Sequence, residues 1–149
     1  MRKLIAIVMV AWAVASPALA EESVRVFDAW ARASVLASRP GATYLTIKST
    51  SDDTLIGAST PVAKRVMIHA VEKDGDVIRM KHVEALELPA GQQVTLAPGG
   101  MHLMLMGLQD KLSEGTAFPM TLSFEIAGEI TVDVSVLGIA AEGPQEIAE

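Results

Sequence analysis

Cysteine is absent from all 149 residues of this chain. Its absence excludes disulfide bonds, a lipid anchor on an N-terminal cysteine, a thiolate nucleophile and any metal site with a thiolate ligand. The Gly-x-Ser-x-Gly motif that positions a catalytic serine is missing too, and only three histidines are available for acid–base work. We therefore expect a protein that is not an enzyme.

Basic residues are few and scattered. Residues 1–20 hold two of the twelve lysines and arginines and none of the eighteen acidic residues, which leaves ten against eighteen and a formal net charge of −8 for the remainder. No basic run and no alternation of basic with aromatic residues is present, which argues against nucleic acid and anionic membranes as partners.

The first twenty residues are typical of a secretory signal peptide. Arg2-Lys3 is a short basic region, residues 4–14 are almost entirely apolar, and Ala18-Leu19-Ala20 fits the small-x-small cleavage rule. The apolar run is too short for a membrane span. Cleavage after Ala20 predicts an exported chain without a membrane anchor, one domain over residues 21–139 and a flexible acidic tail over 140–149.

Long stretches of helical periodicity are also lacking in residues 21–149. Short alternating or β-branched segments are separated by turn signals at regular spacing, which predicts an all-β sandwich or barrel. The predicted strands cover residues 24–30, 42–48, 54–58, 64–72, 77–86, 92–97, 101–106, 118–126 and 129–137.

The segment 101–106, Met-His-Leu-Met-Leu-Met, carries more chemistry than any other. It follows the turn signal Pro98-Gly99-Gly100, and its alternation places His102, Met104 and Met106 on one face of a strand. An imidazole and a thioether two residues apart can reach one small ion. The segment taken alone is more simply a core strand that holds one histidine, since methionine is a common core filler.

A second imidazole and thioether come from a predicted hairpin. Asp74-Gly75 is a strong type I′ turn signal, and a two-residue loop there places His69 opposite Met80. Directly opposed residues project from the same face with Cβ atoms about 4.5–5.5 Å apart. The next rung would place Met67 opposite His82.

Two imidazoles and two thioethers favour copper, because thioether sulfur selects Cu(I) in particular. Zinc prefers cysteine, histidine and carboxylate ligands, calcium and magnesium prefer oxygen, and a blue-copper site requires a cysteine. Methionine sulfur is neutral and forms no disulfide in an oxidising compartment. The candidate ligands are His69, Met80, His102 and Met104.

The spacing of these four residues resembles the H-x10-M-x21-H-x-M motif of the periplasmic copper chaperones of the PCuAC family. Flanking segments that also resemble the family are residues 29–32, 41–45 and 99–108. The resemblance covers almost the whole chain after residue 20. It implies a cupredoxin-like Greek-key β-sandwich in the periplasm, which binds Cu(I) through the four motif residues.

The resemblance also implies delivery of copper to the binuclear copper centre of cytochrome c oxidase, either to its copper subunit directly or through an intermediary copper or thiol assembly protein. Some family members carry a C-terminal extension rich in histidine and methionine that binds a second copper, whereas residues 143–149 contain neither. No histidine stands at the expected N-terminus, Glu21-Glu22-Ser23. We therefore predict one copper per chain. The chain is separately expected to be a monomer.

Other residues on the same faces are weaker candidates for metal ligands. Met106 is expected to pack in the core or behind the ligands, and Met67 with His82 could form a secondary site or lie on the surface. Two other functions stay open: a periplasmic copper buffer or resistance protein without a dedicated acceptor, and a metal-free β-sandwich interaction module.

Overall fold

The computed structural model describes residues 22–144, and every regular element in that range is a β-strand. The described residues contain no helix long and apolar enough to cross a membrane. The predicted signal peptide and residues 145–149 lie outside the described residues. In chain order the strands are β1 (Val24–Arg32), β2 (Gly41–Ser49), β3 (Asp53–Ser59), β4 (Ala63–Asp74), β5 (Val77–Val83), β6 (Leu86–Leu88), β7 (Gln93–Leu96), β8 (His102–Leu108), β9 (Ala117–Phe124) and β10 (Gly128–Leu137).

The strands form one continuous hydrogen-bonded sheet that folds into two layers. One layer has the order β5-β4-β8-β2-β1, with β7 also paired to β2, and the other has the order β10-β9-β3-β6. The layers join where β1 pairs in parallel with β10, while the other pairings are antiparallel. The predicted all-β sandwich is confirmed.

Within residues 22–144, one buried cluster lies between the two layers. Leu45 and Leu103 reach it from the first layer, Leu122 and Val134 reach it from the second, and none of the four is more than 1% exposed. These residues alternate with outward-facing neighbours, as the period of two in a strand requires. Burial of apolar side chains from both layers is the main stabilising term.

A β-bulge in β1 positions an aromatic pair on the outer face of the first layer. Asp28 has a φ of +52°, and the pairing with β2 shifts between Phe27 and Trp30. Aspartate tolerates this left-handed conformation better than most residues. After the bulge, Trp30 lies opposite Tyr44, so both rings project from the same face.

The β4–β5 hairpin differs from the predicted register by two residues. The two loop residues are Gly75 and Asp76, and Asp74 pairs with Val77. Gly75 has a φ of +62°, and no positive φ occurs at Asp76. Glycine at the first central position with a positive φ there alone is the type II′ pattern, not the predicted type I′. Because the shift is two residues, every side chain keeps its predicted face.

The predicted strand 77–86 is divided in the structure. β5 ends at Val83, and the chain then crosses to the other layer, where Leu86 and Leu88 of β6 pair with β3. Both leucines are buried. β5 therefore forms an edge of the first layer, and six of its seven residues are exposed.

Candidate metal centre

The first layer carries histidines and methionines on the side that faces away from the core. Ile68 of β4 and Leu103 of β8 are opposite each other and buried in the core, so their neighbours along each strand project outward. We call this outer surface the His/Met face, and define it by Met67, His69, Met80, His82, His102 and Met104.

His69 and His102 occupy the centre of the His/Met face. They are directly opposed on β4 and β8, and their ring centroids are 5.7 Å apart with the planes inclined at 75°. His102 is only 5% exposed. Nδ1 of His69 and Nε2 of His102 are both buried and have no hydrogen-bond partner. Buried polar atoms in native proteins nearly always have a partner, so two unpaired nitrogens on facing rings indicate a ligand site.

The hydrogen bond that Nδ1 of His102 makes determines the tautomer of the ring. Nδ1 lies 3.2 Å from the carbonyl oxygen of Gly100, close enough to donate its proton in a hydrogen bond. In that tautomer Nε2 holds a free lone pair. Histidines that bind metals usually donate their other ring N–H to a carbonyl or carboxylate in this way.

The pKa of His69 is lowered from its ordinary value of 6.5. Burial of the ring is the largest cause, because it disfavours the charged form, and the positive charges that His102 and His82 can carry add to the effect. His69 is therefore a neutral imidazole at neutral pH. A neutral imidazole is the form that binds a metal ion.

The two predicted thioether ligands take different positions. Met104 is half-buried on β8, one rung from the histidine pair, and its directly opposed neighbour is Met67 of β4. Met80 lies on the edge strand β5, opposite Val71, and is 63% exposed. Met80 shares the face of His69 but is its diagonal neighbour, so the predicted direct pairing of these two residues is wrong.

His82 takes the place that the prediction gave to Met80. It is opposite His69 on β5, with ring centroids 6.0 Å apart, so that three imidazoles form one row across three strands. The predicted pairing of His82 with Met67 is wrong for the same reason. A loop rule that puts Gly75 first would have found this row, whereas nothing local in the sequence pairs Met67 with Met104.

An aromatic wall, formed by Trp30 and Tyr44, borders the buried end of this row. The Tyr44 ring centroid lies 6.4 Å from that of His102, and Trp30 packs on Tyr44 at 4.6 Å. The Arg32 guanidinium lies 6.0 Å from the Tyr44 ring centroid, and its Nε donates a hydrogen bond to the carbonyl oxygen of Ala141 at 2.7 Å. These contacts limit the freedom of His102 and shield it from water on that side.

The candidate donor atoms on the His/Met face are uncharged, and the thioether sulfurs among them are soft ligands. Among residues 22–144, no three histidine, aspartate or glutamate side chains converge on a point where they could hold a metal ion. The His/Met face instead combines unpaired imidazole nitrogen with thioether sulfur and contributes no carboxylate. This combination suits copper, and Cu(I) more than a divalent ion that prefers oxygen ligands.

Solved structures of copper-binding domains resemble this chain along most of its length. The copper-bound PCuAC domain from PmoF2 is 29% identical with a TM-score of 0.67, and the match covers 78% of this chain and 93% of that domain. The Cu(I) form of DR1885 from Deinococcus radiodurans is 32% identical with a TM-score of 0.61, covering 80% of this chain and 83% of that one. The expected cupredoxin-like β-sandwich is confirmed.

A sequence relative and a family model both match most of this chain and carry similar descriptions. A protein of Leifsonia xyli subsp. xyli described as "Putative lipoprotein Lxx21020" is 32% identical over 124 residues, which are 81% of this chain and 74% of that protein. The model of the family described as "Putative lipoprotein LpqE-like" matches residues 24–136. This chain belongs to the LpqE-like family.

Proposed function

We propose that this protein is an exported Cu(I)-binding metallochaperone with one copper ion per chain, and that it is a carrier rather than an enzyme. The observation that carries the proposal is the pair of unpaired buried nitrogens on His69 and His102, which face each other beside thioether sulfur. The copper-bound PCuAC domain and the Cu(I) form of DR1885, both similar in fold and sequence, support it.

We assign the copper ligands as His69, Met80, His102 and Met104. The imidazoles hold the buried side of the ion, because His102 is fixed by Gly100 and the aromatic wall. The exposed thioether of Met80 supplies a ligand that an acceptor can displace from solvent. Thioethers require no deprotonation, so copper is released by stepwise ligand exchange without a proton-transfer step at sulfur.

The proposed destination is the binuclear copper centre of cytochrome c oxidase, reached directly or through an intermediary thiol protein. An acceptor with thiolate ligands would draw Cu(I) from a site of neutral donors, since soft thiolates bind Cu(I) more strongly. The accessible edge strand β5, which bears Met80, allows such an acceptor to approach.

Export is proposed from residues 1–20 and from the lipoprotein descriptions of the family and the relative. Unlike a protein with a lipid on an N-terminal cysteine, this chain contains no cysteine that could carry one. We propose the periplasm, with cleavage after Ala20 and no membrane anchor. Mass spectrometry of the protein isolated from its native host tests this. The expected mass is that of an unmodified chain that begins at Glu21, and a lipid-modified or uncleaved chain would contradict the proposal.

The experiment that tests the carrier role is a transfer assay. The protein loaded with one Cu(I) is mixed with a soluble copper domain of the oxidase, in reducing buffer, and copper is followed after the two are separated. Transfer is expected to be faster than from a small chelator of equal affinity. A rate no faster than that chelator gives would instead favour a copper buffer without a dedicated acceptor.

A further inference from the structure

Four donors on the His/Met face form a compact block on two neighbouring strands. Met67 lies opposite Met104, and His69 lies opposite His102 on the next rung. Opposed Cβ atoms are about 4.5–5.5 Å apart, and successive rungs on one face are about 6.5 Å apart. Two imidazoles and two thioethers are therefore within reach of one ion without any change of strand pairing.

Met80 is farther from Met104 than Met67 is. Met80 is opposite Val71, so it lies on β5 beyond the histidine row, whereas Met104 lies on β8 on the near side of that row. Two interstrand steps of about 4.8 Å and four residues of about 3.3 Å each separate their backbones. A shell that contains both sulfurs requires the β4–β5 hairpin to curl over the face. A shell that contains Met67 does not.

Met67 does not belong to the hydrophobic core. Met101, which precedes β8, packs against the core cluster, whereas Met67 is not among the residues that do so. Met67 is half-buried on the outer surface with the thioether of Met104 as its directly opposed neighbour. Met106 differs again, because it lies opposite the positively charged Arg65.

We propose that Met67 is a fifth copper donor, which alternates with Met80 as the fourth ligand beside His69, His102 and Met104. With Met67 bound, the ion sits on the paired strands β4 and β8. With Met80 bound, the β4–β5 hairpin curls over the face, and the ion lies nearer the exposed edge strand, from which an acceptor takes it. The ion thus keeps two sulfur ligands while it moves outward. This inference rests on the proposed function, because it concerns ligands of the same ion.

A double-mutant cycle tests the proposal. The chain and its variants Met67→Leu, Met80→Leu and the double variant are titrated with Cu(I) against a competing chelator, with Met106→Leu as the matched control. Leucine conserves side-chain volume, so the fold should persist. Each single variant is expected to keep one Cu(I), and the double variant to lose about tenfold more affinity than the two single losses combined, equivalent to about 1.4 kcal/mol of coupling. Met106→Leu is expected to bind as the unmodified chain does.

X-ray absorption spectroscopy of copper-loaded Met80→Leu gives an independent reading that leaves Met67 intact. Two sulfur ligands are expected there, and one would overturn the alternation. The alternation would also be overturned if Met67→Leu left the Cu(I) affinity unchanged in both backgrounds while the unmodified chain still bound Cu(I). If the unmodified chain bound no Cu(I), the proposed function would fall together with this inference.

Discussion

His69 and His102 lie directly opposite each other on β4 and β8, and each holds a buried ring nitrogen without a hydrogen-bond partner. An unpaired buried polar atom costs about 1–3 kcal/mol of stability. A fold that keeps two of them on facing rings gives up stability at this place. Binding of a metal ion would recover it, because the ion satisfies both nitrogens at once.

Replacement of His69 by leucine is therefore expected to raise the free energy of unfolding of the copper-free protein by about 1 kcal/mol, since the unpaired nitrogen is removed. The same variant should lose Cu(I) binding. Urea unfolding and a chelator competition measure the two effects. His82→Leu, on the same rung but exposed, is the control and should change stability by less than about 0.5 kcal/mol. A clear loss of stability in His69→Leu would contradict this account of the site.

Acidification is expected to destabilise the copper-free fold through His69. Its folded pKa lies below the ordinary 6.5, so the unfolded chain binds the proton more readily. Above pH 6.5 His69 adds no pH-dependent penalty to folding, and the penalty grows as the pH falls from there towards the lowered pKa. Unfolding free energies across this range should show the decline, and His69→Leu should show less of it. An equal decline in both proteins would assign the effect to other groups.

The carboxylate of Asp53 is expected to hold the turn between β9 and β10. Its oxygens accept hydrogen bonds from the backbone N–H groups of Thr54, Ile126 and Ala127 at 2.7, 2.9 and 3.0 Å. Burial alone would raise the pKa of Asp53, but the three hydrogen bonds together outweigh it, and the pKa is lowered from 3.8.

Asp53→Asn should therefore destabilise the fold by about 1–3 kcal/mol, because the amide nitrogen that replaces one carboxylate oxygen would face a backbone N–H donor instead of accepting a hydrogen bond from it. The loss should shrink as the pH falls below 3.8 towards the lowered pKa, where the native carboxylate is itself protonated. Urea unfolding at neutral and acid pH measures both. Asp133→Asn, at an exposed position on β10, is the control and should be neutral. Since Asp53 lies in the other layer, an altered Cu(I) affinity in Asp53→Asn would contradict its structural role.

Trp30 should report copper binding, because it packs on Tyr44, which neighbours His102. In a chain that begins at Glu21 it is the only tryptophan. Its emission is expected to change with added Cu(I) and to stop changing at one equivalent. In His102→Asn the response should be absent. An unchanged response in that variant would separate Trp30 from the site.

Turn spacing and strand alternation in the sequence were enough to predict the all-β sandwich and the faces on which the histidines and methionines lie. The partner of His69 was not predictable in the same way. Moving Gly75 from the second to the first loop position shifts the hairpin by two residues and exchanges Met80 for His82. Alternation is insensitive to such a shift, because side chains keep their faces.

The pairing of strands that are far apart in the sequence was also not predictable. Met67 and Met104 meet only because β8 is inserted between β4 and β2, and no local pattern encodes that order. The burial of Trp30 likewise depends on the bulge at Asp28, a backbone feature that strand alternation does not reveal. The spacing of the four motif residues was informative despite this, because it identified the two histidines that the structure brings together.

The most direct test of the central claim is a titration of the unmodified chain, beginning at Glu21, with Cu(I) in reducing buffer against a competing chelator. One equivalent per chain is expected to bind, with loss of binding in His69→Leu and in His102→Asn. Absence of binding in the unmodified chain, or equal binding in both histidine variants, would contradict the assignment of this face as a copper site.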